Sequence, residues 1–237
     1  MRQGNRFRGA LIAAGLAFTP TIGCGRSAIG VSDTSVDAQP DCSPQQVVPP
    51  AFVPPRAPRA ACTDTQIQAL YAACDTTAGG NATTCSALKG DPDNSPCYLC
   101  MYTDVSDDAY GVIVRFPNHV DLYNLGGCIA LLDPDAGPSG CAAAVQARDL
   151  CRHQACEATC PSGSTPSGFQ TVEQCESQAE ATVCAQYVDA AQCDQAVQYA
   201  PCLFADSQAY FLGLGRIFCE AKVDGGSVGA APDGAAE

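Results

Sequence analysis

Two cysteines, Cys97 and Cys100, stand in the C-x-x-C spacing that thiol oxidoreductases use. In those enzymes the first thiolate is stabilised at the N-terminus of a helix, and Ser95-Pro96 predicts that a helix begins just before Cys97. The strand–helix–strand pattern of a thioredoxin-like domain does not surround the motif. Because the chain contains 17 cysteines, we expect Cys97 and Cys100 to anchor two structural disulfides, and a redox pair is the alternative.

A second cluster, Cys151, His153, Cys156 and Cys160, carries the ligand types that zinc prefers, thiolate and imidazole. No paired C-x-x-C motifs stand at the spacing of a zinc finger. In an oxidising compartment these sulfurs are expected to form disulfides and not thiolate ligands. The sequence therefore predicts neither a metal site nor a cofactor.

A G-x-S-x-G motif at residues 225–229 matches the nucleophile elbow of α/β-hydrolases. That elbow requires a strand before it, a helix after it and a histidine further along the chain. The two histidines, His119 and His153, both precede the motif. We therefore assign no catalytic residue, and an unrecognised extracytoplasmic hydrolase remains an alternative.

The segment 110–125 differs from the rest of the chain because it is rich in β-branched and aromatic residues, which predicts a short β-hairpin. Within it, Arg115, Phe116, His119 and Tyr123 combine side-chain types that are enriched at binding hot spots. We predict that these residues contact a protein or glycan partner. The alternative is that the rings complete the core.

The number of cysteines is odd, which in an exported protein implies a free thiol or an intermolecular bond unless one sulfur is used otherwise. Cys24 follows Thr21-Ile22-Gly23, which resembles the lipobox that directs acylation of a bacterial cysteine. Setting Cys24 aside leaves 16 cysteines, enough for eight disulfides. The sequence leaves the pairing open.

The elements that would carry these residues begin with a signal peptide over residues 1–23, which has a positive start and an apolar run of nine residues, Ala10 to Phe18. A lipidated, Pro-rich tether is expected over 24–61, with Cys42 fastening part of it to the domain. A cysteine-rich domain over 62–223 and a disordered tail over 224–237 follow. These features predict an extracytoplasmic protein attached to the bacterial outer membrane by an N-terminal lipid.

The fold class predicted for residues 62–223 is mainly α, with disulfides fastening the helices. Thr63 and Gln66 form a capping box, and Ser139 is expected to cap a helix over 140–155. A second capping box at Thr171 opens a helix that could run to Ala200.

Four cysteines at intervals of nine, Cys175, Cys184, Cys193 and Cys202, would face alternating sides of an unbroken helix. We therefore expect a break near 190–192. The helix from Ser207 to Lys222 has the richest apolar stripe and is predicted to form the centre of the core.

The net charge of −13 disfavours nucleic acid as a partner, because binding to phosphates needs clustered Lys and Arg. The spaced cysteines, the segment 126–132 (Gly-Gly-Cys-Ile-Ala-Leu-Leu) and the segment Cys141 to Val145 resemble the cysteine-rich predicted lipoproteins of myxobacteria. That resemblance implies a location at the cell envelope and no biochemical mechanism. We expect a non-enzymatic binding or structural module at the cell surface.

Overall fold

The computed structural model describes residues 42–56, 60–118, 120–160 and 166–220, and for residues 166–170 it describes the backbone alone. All of these residues belong to one unit of the chain, residues 39–237. The predicted signal peptide, Cys24, His119 and the G-x-S-x-G segment lie outside the described residues. None of the helices in the described part is long and apolar enough to cross a membrane.

The described domain is mainly helical and carries one small sheet, as predicted. The α-helices are α1 Asp64–Cys74, α2 Ala82–Gly90, α3 Ser95–Met101, α4 Leu125–Leu132, α5 Cys141–Glu157, α6 Pro166–Ala181, α7 Ala185–Ala191 and α8 Ser207–Cys219. Short 3₁₀ helices span Thr76–Ala78, Pro134–Ala136, Gln192–Gln195 and Val197–Cys202. The strands are β1 Tyr102–Asp104, β2 Ile113–Arg115 and β3 Asp121–Tyr123.

The sheet confirms the predicted hairpin and adds a strand to it. β2 and β3 are antiparallel, with Ile113 opposite Tyr123, and β1 is parallel to β2, with Tyr102 opposite Ile113. The sequence did not indicate β1, because these three residues directly follow helix α3 and are too few for an alternating pattern.

Helix α8 forms the centre of the main core, as its apolar stripe predicts. Phe211, Leu214 and Phe218 are buried on the face that packs against α1. A methyl group added at Gly215 would lie 2.8 Å from Ile67 Cγ2, so the glycine permits the close approach of the two helices. Burial of each large apolar side chain in this core stabilises the fold by about 1.5–3 kcal/mol.

The helix starts were predicted with mixed success. The capping box of α1 is present, because the Gln66 amide donates to Thr63 Oγ1 and the Thr63 amide donates to Gln66 Oε1. The prediction for Ser139 is wrong, since Gly140 occupies the cap position of α5 and no side chain caps it. A hydrogen bond from the Gly140 amide to the Gly137 carbonyl closes the preceding turn and sets this boundary.

The helix predicted from the capping box at Thr171 differs from the structure in its start and in an additional break. α6 already begins at Pro166, which places Thr171 inside it. The helical structure is interrupted after Ala181 and again after Ala191. The second break was predicted and the first was not.

The disulfides explain these breaks. Cys175, Cys184, Cys193 and Cys202 pair with Cys156, Cys151, Cys141 and Cys128, respectively. The partners follow one another backwards along α5 and into α4, so all four bonds reach the same side. A straight helix turns about 900° in nine residues and would aim successive cysteines at opposite sides. Because the helix is interrupted twice, each of these cysteines faces its partner on α5 or α4.

Residues 42–56, which we call the strap, form neither helix nor strand and run along the domain. The disulfide Cys42–Cys160 confirms that Cys42 fastens this stretch to the domain. The Gln45 amide donates to the Ala155 carbonyl at 2.8 Å, and Val53 exchanges two hydrogen bonds with the Gln146 side chain. Backbone hydrogen bonds to Tyr110 hold the far end of the strap, at Pro54 and Arg56.

Candidate functional site

The two cysteines of the C-x-x-C motif are not bonded to each other. Cys97 pairs with Cys62 and Cys100 with Cys219, and all four residues are at most 5% exposed. This is the arrangement expected of two structural disulfides on one helix. A thioredoxin-like exchange would need a bond between the two sulfurs of the motif.

The sulfurs of the candidate zinc cluster are also bridged. Cys151, Cys156 and Cys160 pair with Cys184, Cys175 and Cys42. The remaining bridge is Cys74–Cys85. Eight disulfides thus use all 16 cysteines from Cys42 to Cys219, and disulfides in this number identify a cysteine-rich protein of an oxidising, extracytoplasmic compartment.

The residues predicted to contact a partner occupy different environments. Phe116 is 4% exposed and its ring lies 4.0 Å from that of His153, so it belongs to the core. Arg115 is half-buried, pairs with Asp104 at 3.0 Å and donates to the Tyr98 hydroxyl. A role in partner contact stays a prediction for these residues.

Tyr123 is also half-buried, and it opens onto a cleft that sequence analysis did not identify. The cleft has a volume of about 360 Å³ and lies between β3, α5, α6 and α8. The Tyr123 ring stacks on Tyr210 of α8 with centroids 5.5 Å apart, and its hydroxyl donates to the Ser207 carbonyl at 3.0 Å. Burial raises the pKa of Tyr123 to about 12.

The floor of the cleft contains a network of ion pairs centred on α5. Arg148 lies 2.8 Å from Asp149 and 2.7 Å from Asp194, a buried residue of the 3₁₀ helix after α7. Burial alone would lower the pKa of the Arg148 guanidinium, but the charge and hydrogen bonds of the two carboxylates outweigh it and raise this pKa. Arg148 is therefore a fixed cation that joins two elements.

Arg152, one turn further along α5, pairs with Glu180 of α6 at 3.0 Å. Burial again acts to lower the pKa of the guanidinium, and the charges of Asp149 and Glu176 together with the Glu180 contact raise it. Both arginines are thus engaged by carboxylates of the domain itself.

His153 forms the fourth pair of this network, with Glu176. It is fully buried, its Nδ1 lies 2.6 Å from Glu176 Oε1 and its Nε2 lies 3.4 Å from Asn118 Oδ1. A carboxylate that orients an imidazole is one half of a hydrolytic triad, and the other half is a nucleophile at the second nitrogen. None of the described residues lining the cleft is Ser, Thr or Cys.

The upper rim of the cleft is acidic. Asp121 and Glu173 are exposed there, and with Asp149 and Glu176 they make four carboxylates against two guanidinium groups. The sequence contained part of the evidence for this cleft, because Arg148 and Arg152 are four residues apart and therefore lie on one face of α5. The acids of α6 were missed since the start of that helix was placed incorrectly.

No protein-family model matches the chain, and searches of curated proteins and of solved structures found no significant match.

Proposed function

We propose that this protein is an exported, lipid-anchored module that binds a partner at the cell surface and does not catalyse a reaction. The observation that carries the proposal is that the eight disulfides use every cysteine except Cys24. That cysteine directly follows Gly23, a few residues after the short apolar run Ala10 to Phe18, where a lipid would be attached.

Lipid attachment suits the charge of the chain. A chain with net charge −13 is repelled by an anionic bilayer surface, so an acyl group would supply the membrane contact. Gly25, which follows Cys24, is not the Asp that retains lipoproteins in the inner membrane. We therefore propose the outer membrane as the destination, in keeping with the resemblance to myxobacterial lipoproteins.

Replacing Cys24 tests the anchor. In a bacterial expression host, the full chain should partition into detergent and show acyl mass on a mature N-terminus at Cys24. Cys24→Ser should release a soluble domain whose eight disulfides are unchanged, because none of them uses Cys24. A mature chain that begins elsewhere, or that lacks acyl mass, would refute the lipid anchor.

The cleft is the surface that we propose for partner binding. Its stacked tyrosines, Tyr123 and Tyr210, offer an apolar platform, and its exposed acids, Asp121 and Glu173, offer hydrogen-bond acceptors. Protein surfaces and glycans both present donors that fit such a rim. The ion pairs beneath it keep the platform rigid, which lowers the entropy cost of association.

A photocrosslinking amino acid at position 173, with position 189 on α7 as the control, tests this surface in the native host. We expect a discrete adduct at position 173 alone, and mass spectrometry tells a protein partner from a glycan. Asp121→Asn should weaken capture about twofold to fivefold, the range for an exposed charge contact. The exposed Asp189→Asn change should not weaken it. Equal capture from both positions would contradict the assignment of the cleft.

A further inference from the structure

Two of the eight disulfides lie side by side where the strap meets the helices. The sulfur atoms of Cys42, Cys160 and Cys175 all lie within 4.8 Å of one another. The first two form the strap bridge, and Cys175 is bonded to Cys156 in the bridge between α5 and α6. This is the one cysteine group of such closeness among the described residues.

The two bridges differ in their access to solvent. Cys42 and Cys160 are half-buried, whereas Cys156 and Cys175 are 0% and 1% exposed. A thiol in solution therefore meets the strap bridge first. Exchange requires a thiolate to reach a sulfur of the disulfide that it attacks, and in the folded protein the sulfurs of the strap bridge already lie beside Cys175.

We propose that Cys42–Cys160 is a reaction site for an extracytoplasmic dithiol, and that its reduction is passed on to Cys156–Cys175. In the first step the dithiol gives two electrons and two protons to the strap bridge. Its own sulfurs become a disulfide, and Cys42 and Cys160 become thiols.

In the second step the Cys160 thiolate attacks Cys175 Sγ. A Cys160–Cys175 bond forms, the Cys156–Cys175 bond breaks, and the Cys156 sulfur takes the proton that Cys160 lost. No electrons enter or leave in this step. Cys160 is the attacking group because its amide donates to the Cys156 carbonyl at 2.9 Å, which holds it at the end of α5 while Cys42 is free to leave with the strap.

The consequence is the release of the strap from its covalent tie. A hydrogen bond from Gln45 to Ala155 and one from Thr159 Oγ1 to the Ser43 carbonyl remain at this end. A dithiol would thereby change how the domain is connected to the chain that precedes it.

Disulfide mapping of the oxidised full chain tests the proposal. The protein is treated with one equivalent of dithiothreitol, quenched with acid, alkylated in denaturant and digested without reduction. We expect alkylation of Cys42 and Cys156 and a peptide pair linked by Cys160–Cys175. Alkylation of Cys42 and Cys160 alone, with Cys156–Cys175 intact, would overturn the transfer. Reduction of the buried bridges before the strap bridge would overturn the reaction site.

The bridges Cys74–Cys85 and Cys141–Cys193 are matched controls within the same sample. Their cysteines are also half-buried, and they belong to no such group of three sulfurs. Where they are reduced, we expect alkylation at their own two cysteines only. New pairings at these bridges as frequent as Cys160–Cys175 would show unspecific shuffling and would overturn the proposal.

A double variant that lacks the strap bridge tests whether reduction passes from this bridge to Cys156–Cys175. In Cys42→Ser/Cys160→Ser the first bridge is missing, so Cys156–Cys175 should be reduced at least about tenfold more slowly than in the unaltered chain. An unchanged rate would overturn the proposal. If the variant fails to fold, the disulfide mapping of the unaltered chain still supports or overturns the transfer by itself.

Discussion

At the scale of single residues, Phe116 shows how a side chain that resembles a binding hot spot can belong to the core. Its ring packs on His153 and is 4% exposed. It also joins a small cluster with Tyr110, Val114 and Leu150, which connects the sheet to α5. Its loss would therefore affect folding before it affected recognition.

We predict that Phe116→Ala lowers the free energy of unfolding by about 3–5 kcal/mol, the usual effect of removing a buried ring. The control is Val197→Ala, because Val197 is 87% exposed and its truncation should change stability by less than about 0.5 kcal/mol. Chemical denaturation of both variants measures the difference. A Phe116→Ala protein as stable as the control would contradict the burial of this ring.

Tyr123 gives a prediction about alkaline pH. Burial raises its pKa from 10.0 to about 12, so folding favours the neutral phenol. The associated stability is present in full below pH 10 and is lost as the pH rises through about 12. We expect Tyr123→Phe to move the midpoint of alkaline unfolding upwards.

Tyrosinate absorbance and circular dichroism, recorded together after rapid mixing, follow ionisation and unfolding. Tyr187→Phe, which changes a ring outside the cleft, is the matched control and should leave the midpoint where it is. A Tyr123→Phe midpoint equal to that of the unaltered chain would argue against the burial of this hydroxyl.

At the scale of elements, α5 organises the second half of the domain. It carries four of the bridged cysteines, counting Cys141, Cys151 and Cys156 within the helix and Cys160 just beyond it. Its two arginines, Arg148 and Arg152, pair with carboxylates of the following elements. Disulfides and ion pairs thus fix α6, α7 and the next 3₁₀ helix against one long helix.

We predict that Arg148→Ala lowers the free energy of unfolding by about 3–5 kcal/mol, because it leaves the carboxylates of Asp149 and Asp194 buried without their cation. The side chains of these acids are 9% and 5% exposed. Arg216→Ala is the comparison, since Arg216 and Asp64 are 47% and 40% exposed and such a surface pair contributes about 0–1 kcal/mol. Equal effects in denaturant titrations would contradict the structural importance of the Arg148 network.

At the scale of the whole molecule, cross-links supply much of the stability. Removing one native disulfide from a small exported domain costs about 2–5 kcal/mol, while whole domains are stable by about 5–15 kcal/mol. The apolar cores here include many of the cysteines themselves.

We therefore predict that complete reduction unfolds the chain at neutral pH and room temperature. Far-ultraviolet circular dichroism should lose most of its helical signal, and the hydrodynamic radius should increase. As the control, oxidised protein is acidified before the same reductant is added, so that its disulfides stay intact. A reduced chain that keeps its helical signal would show that the apolar core suffices without the bridges.

The sequence by itself determined the features that depend on neighbouring residues or on composition. The mainly helical class, the capping box at Thr63, the hairpin within 110–125 and the apolar face of α8 follow from local spacing. The number of cysteines indicated eight disulfides and an oxidising compartment. These properties need no knowledge of which distant segments meet.

Only the tertiary structure decided what depends on distant contacts. The pairing of the cysteines, the strap along α5 and the cleft beside Tyr123 all join residues far apart in the chain, and the break before α7 follows from that pairing. Sixteen cysteines admit very many pairings, and spacing alone does not choose among them. The choice is made by packing, because a disulfide forms only where two α-carbons come within about 4.4–6.8 Å.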